Sequence, residues 1–235
     1  MSLHNDNALV VALDTSTDML ACAASWIDGQ TGETKLVSGD HMCRRHANVE
    51  LVNTVDGVLA QAGLDRSDVG CYVVGRGPGS FTGVRIGMAC AKGFAWGLQL
   101  PLYGVSTLEA MTRGAAYADG IYCACMDARK QQIYNAVFSL QAGKLTRLTD
   151  DRAIAIDALV PELSGKSGPI YLLGDGAKLV SDTLAGSGLP LILLPEQLRQ
   201  QRASGVALCA MDRMLAGDPG DAAALTPNYL RMAQA

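Results

Sequence analysis

Apolar and polar positions divide the chain into two similar series of elements. Ala8 to Asp14 (ALVVALD) is an apolar run, Met19 to Trp26 is a second, and the polar stretch Asp14–Asp18 between them predicts a β-hairpin. A third strand is expected near Thr34 to Met42. Asn48 to Ala62 follows, with Leu51, Val52, Val55, Val58 and Leu59 at helical spacing and Gly63 as the stop. Cys71 to Val74 predicts a short buried strand. After it come the loop Gly75-Arg-Gly-Pro-Gly-Ser-Phe-Thr-Gly83 and a helix running to about Trp96. The order is βββαβα.

A strand at Leu102–Val105 and a helix from Ser106 to about Ala116 lead into a second series. Ile121–Met126 and Ile133–Leu140 form another hairpin, Lys144–Thr149 a third strand and Asp157–Leu163 a short helix. Ile170–Leu173 is a buried strand and Ala177–Ala185 a helix. Asp14 and Asp127 each close a first strand, while Gly75-Arg-Gly77 and Gly174-Asp-Gly176 each follow a later one. These landmarks imply an internal duplication. The expected fold is α/β, two βββαβα lobes of the actin-like ATPase (ribonuclease H-like) superfold meeting at a cleft. Residues 1–104 make the N-terminal lobe and 105–235 the C-terminal lobe and tail. Within the latter, Ser204–Leu215 predicts a further amphipathic helix, Gly217–Asp221 a flexible connection, and Leu225–Met232 a tail docked on the body.

The net charge of −4 over 235 residues provides no basic field, so RNA contact is expected only through a basic partner. Met1–Asn7 lacks the layout of a signal peptide. The longest uncharged run, Gly93–Leu108, is shorter than the roughly 20 residues of a membrane span. A cytoplasmic protein is expected. The 7 cysteines contain no C-x-x-C pair and read as reduced core residues; Cys123 and Cys125 share a strand face but need two further ligands to hold a metal.

Asp14, Thr15, Ser16, Thr17 and Asp18 fit two roles, holding nucleotide phosphates or a hydrated magnesium ion, or serving as plain turn residues. No glycine follows Asp14 or Asp127 in the Asp-x-Gly pattern that lets turn amides reach phosphates, so ATP or ADP binding is expected to be weak and no cofactor is assigned. Gly77, Gly79 and Ser80 likewise suit an anion cradle at a helix start or a tight turn with a capping serine. Gly83, Gly87 and Ala91, at four-residue intervals, permit close helix approach either inside the monomer or at a subunit interface. His4, His41 and His46 form no H-x-x-x-H site and no nucleophile–His–acid trio stands out. Neither a metal centre nor a catalytic residue is assigned.

Leu13-Asp-Thr-Ser-Thr17, Gly77-Pro-Gly-Ser-Phe-Thr-Gly-Val-Arg-Ile-Gly87 with Ala91-Lys-Gly93, Gly104-Val-Ser-Thr-Leu-Glu109, Asp127-Ala-Arg129 and Pro227-Asn-Tyr-Leu-Arg231 together resemble the bacterial TsaB family over nearly the whole chain. The resemblance implies a non-catalytic partner of the TsaD paralogue, which transfers a threonylcarbamoyl group to N6 of adenosine 37 in tRNA. It further implies TsaE as an additional partner and tRNA contact only through the complex; whether the chain forms a homodimer when the partner is absent is left open by the sequence. Heterodimerisation in that family uses the first two helices, here Asn48–Ala62 and Gly83–Trp96. Leu51, Val55, Val58, Gly83, Gly87 and Ala91 are accordingly expected to line the seam, and a bulky residue at 87 to abolish pairing while the monomer stays folded. The chain departs from the family's His-Ser-Glu pattern at His46-Ala-Asn-Val-Glu50. Competing readings are a stand-alone ATP-dependent kinase or carbamoyl transferase and, further off, a peptidase.

Overall fold

The computed structural model describes residues 9–43 and 47–231, with the side chains of Asn48, Asp212 and Leu215 left aside. The expectations for Met1–Asn7, His4, His46 and Met232 lie outside these residues. The first sheet takes β1 (Leu9–Asp14), β2 (Met19–Ile27), β3 (Thr34–Ser38), β4 (His41–Met42), β5 (Val69–Gly75) and β6 (Leu102–Val105). The second takes β7 (Gly120–Asp127), β8 (Gln132–Gln141), β9 (Lys144–Arg147), β10 (Arg152–Ala155), β11 (Ile170–Leu173) and β12 (Leu191–Leu193). The helices are α1 (Ala47–Gln61), α2 (Phe81–Leu98), α3 (Thr107–Ala115), α4 (Leu159–Leu163), α5 (Ala177–Thr183), α6 (Glu196–Arg199) and α7 (Ala203–Leu215).

The sheets run β3-β2-β1-β5-β6 and β10-β8-β7-β11-β12, with β4 added to β2 and β9 to β8. In each, an antiparallel hairpin is extended by two parallel strands. The duplicated actin-like architecture is therefore present. The strand expected over Thr34–Met42 is broken at Gly39, whose N–H donates to Cys22 O (2.8 Å), so both pieces pair with β2. β10, β12 and α6 lack a sequence signal, being four residues or fewer with mixed exposure.

Alternation along β1 sends Val11 and Leu13 to one face and Val10 and Ala12 to the other. The first face meets Leu51, Val55 and Val58 of α1 and Ala91 and Ala95 of α2; the second meets Val206, Ala207 and Ala210 of α7. Each fully buried Leu or Val contributes about 1.5–3 kcal/mol. On the second sheet, one face packs on α4 and α5 and the other on Leu108, Met111 and Ala115 of α3. Helices α3 and α7 thus lie between the sheets. They touch so closely that a Cβ on Gly205 would stand 2.0 Å from Ala110 O. α7 follows the second unit in sequence yet seals the first sheet.

The segment Gly217–Asp221, expected to be a flexible connection, is pinned: Arg213 Nε donates to Asp218 (2.8 Å) and Tyr103 Oη to Asp218 O (2.9 Å). The tail docks as expected. Leu225 lies over Gly104, Asn228 N–H donates to Arg76 O (2.7 Å), and Arg231 donates to Ala128 O (2.6 Å). Those bonds strap the second hairpin to the first lobe. None of the described helices is long and apolar enough to cross a membrane.

Candidate functional site

The end of β1 and the glycine loop after β5 form one interlocked unit. Asp14 is fully buried; its carboxylate accepts from Ser16 N–H (2.6 Å) and from Gln201 Nε2 (2.7 Å). Burial raises its pKa, against the pull of those hydrogen bonds. Gly75 passes directly over it: a Cβ there would lie 1.9 Å from Asp14 Oδ2. Further along, a Cβ on Gly79, whose φ is +159°, would lie 2.3 Å from Ser16 O, and Ser80 N–H donates to that oxygen (2.7 Å). The loop is stapled onto the hairpin turn.

Ser80 also caps α2 by accepting from Gly83 N–H (3.2 Å), and Thr15 Oγ1 donates to Gly83 O (2.7 Å). The second lobe repeats the rule. A Cβ on Gly174 would stand 2.1 Å from Cys125 O and one on Gly176 2.9 Å from Asp127 N. The Asp-ended strand and the glycine loop recur together because each hairpin turn needs a neighbour without a side chain.

Of the residues singled out in the sequence, Ser16, Thr17, Asp18, Gly79, Ser80 and Asp127 line one interlobe cleft of about 520 Å³. Asp14 lies beneath its floor, Thr15 is directed to α2, and Gly77 faces Asn228 instead. The cleft adds residues that sequence reasoning missed. Asp175 and Arg199 complete its wall, and Gln201 reaches in from 187 positions beyond Asp14. Asp175 was visible only as the centre of the Gly174–Gly176 landmark, and nothing local marks Gln201. Asp175 Oδ1 accepts from Asp127 N–H (3.2 Å); partial desolvation inside the groove, with the Asp127 charge adding to it, raises its pKa. Arg199 Nε is buried without a hydrogen-bond partner.

A larger hollow of about 680 Å³ lies between Arg76, Ser106, Arg147 and Arg213. Two of its arginines are already neutralised, Arg147 by Glu109 (2.6 Å) and Asp151 (2.8 Å) and Arg213 by Asp218. The smaller cleft, where the duplicated hairpin turns meet, is therefore the candidate site.

The expected subunit seam needs correction. Leu51, Val55 and Val58 are 1%, 0% and 2% exposed and Ala91 0%, all inside the core of the first lobe. Gly83 and Gly87 face the chain's own hairpin, at 2.0 Å from Thr15 O and 2.5 Å from Thr15 Oγ1 for an added Cβ. A bulky residue at 87 would therefore strain the monomer, because the small-residue stripe serves internal packing. What α1 and α2 show to solvent is another set, including Val49 (65% exposed), Val52 (39%) and Trp96 (87%).

Fold and cleft together define an actin-like two-lobed protein whose first hairpin turn is covered by its own glycine loop. The family model described as TsaD: tRNA N6-adenosine threonylcarbamoyltransferase matches residues 41–185. The tRNA threonylcarbamoyladenosine biosynthesis protein TsaB of Escherichia coli is 34% identical over 194 residues, covering 79% of this chain and 81% of that protein. TsaB of Bacillus subtilis is 28% identical over 230 residues, 96% and 95% of the two chains. A crystal structure from Pseudomonas aeruginosa, described as an uncharacterized protein with similarity to peptidase YEAZ, superposes with a TM-score of 0.79 at 26% identity, covering 95% of this chain and 100% of that one. The chain belongs to the TsaB family.

Proposed function

We propose that this chain is a non-catalytic subunit of the machinery that attaches threonylcarbamoyl to N6 of adenosine 37 in tRNA, and that it works by pairing with a TsaD paralogue. The relatives carry the name of that biosynthesis, and the matching family model is that of the transferase itself. The observation that carries the pairing is the solvent face of α1 and α2. On α2 a tryptophan, Trp96, is left 87% exposed, and on α1 Val49 and Val52 also face solvent; such uncovered apolar side chains are the anchors that partner surfaces bury. With a net charge of −4, tRNA is reached through the partner, and TsaE joins as a further subunit.

The cleft supports a minor role for ATP or ADP. Arg199 offers an unpaired buried guanidinium nitrogen, but Asp18, Asp127 and Asp175 repel phosphate and the first turn is covered by Ser80 and Gly79. Catalysis by the chain alone lacks support too. His41, the one histidine among the described residues, has Nε2 on Glu50 (2.9 Å) and Nδ1 towards Gly39 O (3.4 Å), with neither nitrogen aimed at a nucleophile.

The test mixes the purified chain with the TsaD paralogue of the same organism and measures mass by size-exclusion chromatography with light scattering. A one-to-one complex is expected, lost in Trp96→Asp without loss of folding. Separate peaks at micromolar concentration, together with ATP hydrolysis by the chain alone, would instead establish an autonomous nucleotide-dependent enzyme. The same run without TsaD shows whether the exposed face then pairs with a second copy.

A further inference from the structure

We propose that His41, Cys43 and Glu50 form a binding site for a borderline-soft divalent cation, with zinc the best fit. Histidine spacing on a single helix gives no hint of it, because the ligands come from two elements. His41 lies on β4, held at the sheet edge by pairing with Leu20, and Cys43 continues that ladder by donating its N–H to Asp18 O (2.8 Å). Glu50 returns from the first turn of α1. One imidazole nitrogen, one sulfur and one carboxylate oxygen thereby lie within 4.8 Å of one another.

The donor set selects the metal. Imidazole with thiolate favours zinc over magnesium or calcium, which take oxygen. Zinc bonds of about 2.0–2.3 Å in a tetrahedron put ligand atoms about 3.3–3.7 Å apart. His41 Nε2 and Glu50 Oε2, now 2.9 Å apart, must open slightly, and the sulfur must close by about 1 Å at most. The His41 and Glu50 side chains are 42% and 43% exposed, and Cys43 is buried at the base. The exposed side leaves the fourth position to water.

A hydrolytic Cys–His–Glu triad does not fit the same atoms. There the imidazole must stand between thiol and acid, whereas here one ring nitrogen is on Glu50 and the other on the Gly39 carbonyl. A bound ion would join β4 to the start of α1 and hold the acidic first turn of that helix against the sheet edge.

The experiment titrates the metal-free full chain with Co²⁺ and then Zn²⁺. One equivalent of cobalt should bind with a thiolate-to-cobalt charge-transfer absorption, zinc should displace it, and zinc should raise Tm in proportion to the logarithm of its concentration over Kd. Cys43→Ser should abolish the absorption, and Glu50→Gln should weaken binding by roughly 10- to 100-fold or more. Cys90→Ser, at the one cysteine that is not buried, should leave both unchanged. Absence of stoichiometric binding at micromolar metal, or an absorption that survives Cys43→Ser, overturns the proposal.

Discussion

Gly83 and Gly93 lie on the same helix and carry no side chain, yet alanine at the two positions should act in opposite directions. At Gly83 the new Cβ would stand 2.0 Å from Thr15 O and 3.2 Å from Ser80 Cβ. A tolerable carbon–oxygen contact is about 3.3 Å, so the hairpin and the start of α2 must part by about 1.3 Å. Overpacking of this kind costs about 1–3 kcal/mol. The movement also breaks Thr15 Oγ1 to Gly83 O and Ser80 N–H to Ser16 O, each contributing about 0.5–1.5 kcal/mol. Helix propensity returns at most about 1 kcal/mol. The net loss is about 1–5 kcal/mol.

At Gly93 nothing lies within 4 Å of the added carbon and the position is exposed, so only the propensity gain of about 0.8–1 kcal/mol remains. For a chain of this size each kcal/mol moves Tm by about 2–4 °C. Gly93→Ala should therefore melt about 2–4 °C higher than the parent and Gly83→Ala several degrees lower, by calorimetry or circular dichroism. Gly87→Ala falls between them. Its Cβ is crowded by Thr15 Oγ1, at 2.5 Å, which can rotate away at the loss of one hydrogen bond, about as much as the propensity gain; Val74 Cγ2 and Thr15 Cβ, at 3.6 and 3.7 Å, are in ordinary contact. If Gly83→Ala matched or exceeded the parent's Tm, the glycine loop would not be held on the hairpin as described.

Burial raises the pKa of Asp14 above 3.8. An acid with a higher pKa in the folded state contributes most below its unfolded value and loses that contribution as pH rises through the folded value. The fall in Tm between pH 3.8 and neutrality should thus be smaller in Asp14→Asn than in the parent; parallel profiles would refute this. Gln201→Ala removes a hydrogen-bond donor to the buried Asp14 side chain and should cost about 1–3 kcal/mol in urea unfolding; an unchanged midpoint would refute the contact. Tyr229 stacks on Phe81 at 4.9 Å and takes the Arg85 Nε–H bond (2.7 Å), so Tyr229→Ala should destabilise by about 1–2 kcal/mol and speed proteolysis of the tail. Arg231→Ala should increase hydrogen exchange in residues 128–132 and leave α1 unaffected, because its bond to Ala128 O straps the second hairpin.

The sequence alone determined the two βββαβα series, their hairpins and the aspartate and glycine landmarks, because alternation, helical period and turn chemistry are properties of neighbouring residues. It also carried the family, through motifs continuous in the chain. It determined less where elements are short. β12, with three half-exposed residues, becomes a strand only because β11 lies ready beside it. The stripe Gly83, Gly87, Ala91 shows that a close approach occurs but not to what, since small residues mark contact without indicating its partner. Only the tertiary structure shows that the approach is to Thr15, and that Trp96 on the same helix stays exposed. Closure between elements is likewise a tertiary matter: Gln201 meeting Asp14 from 187 positions away, α7 sealing the first sheet, and, over a few residues, His41 and Cys43 meeting Glu50 across an element boundary. Such contacts are set by how faces pack, and no local pattern in the chain encodes them.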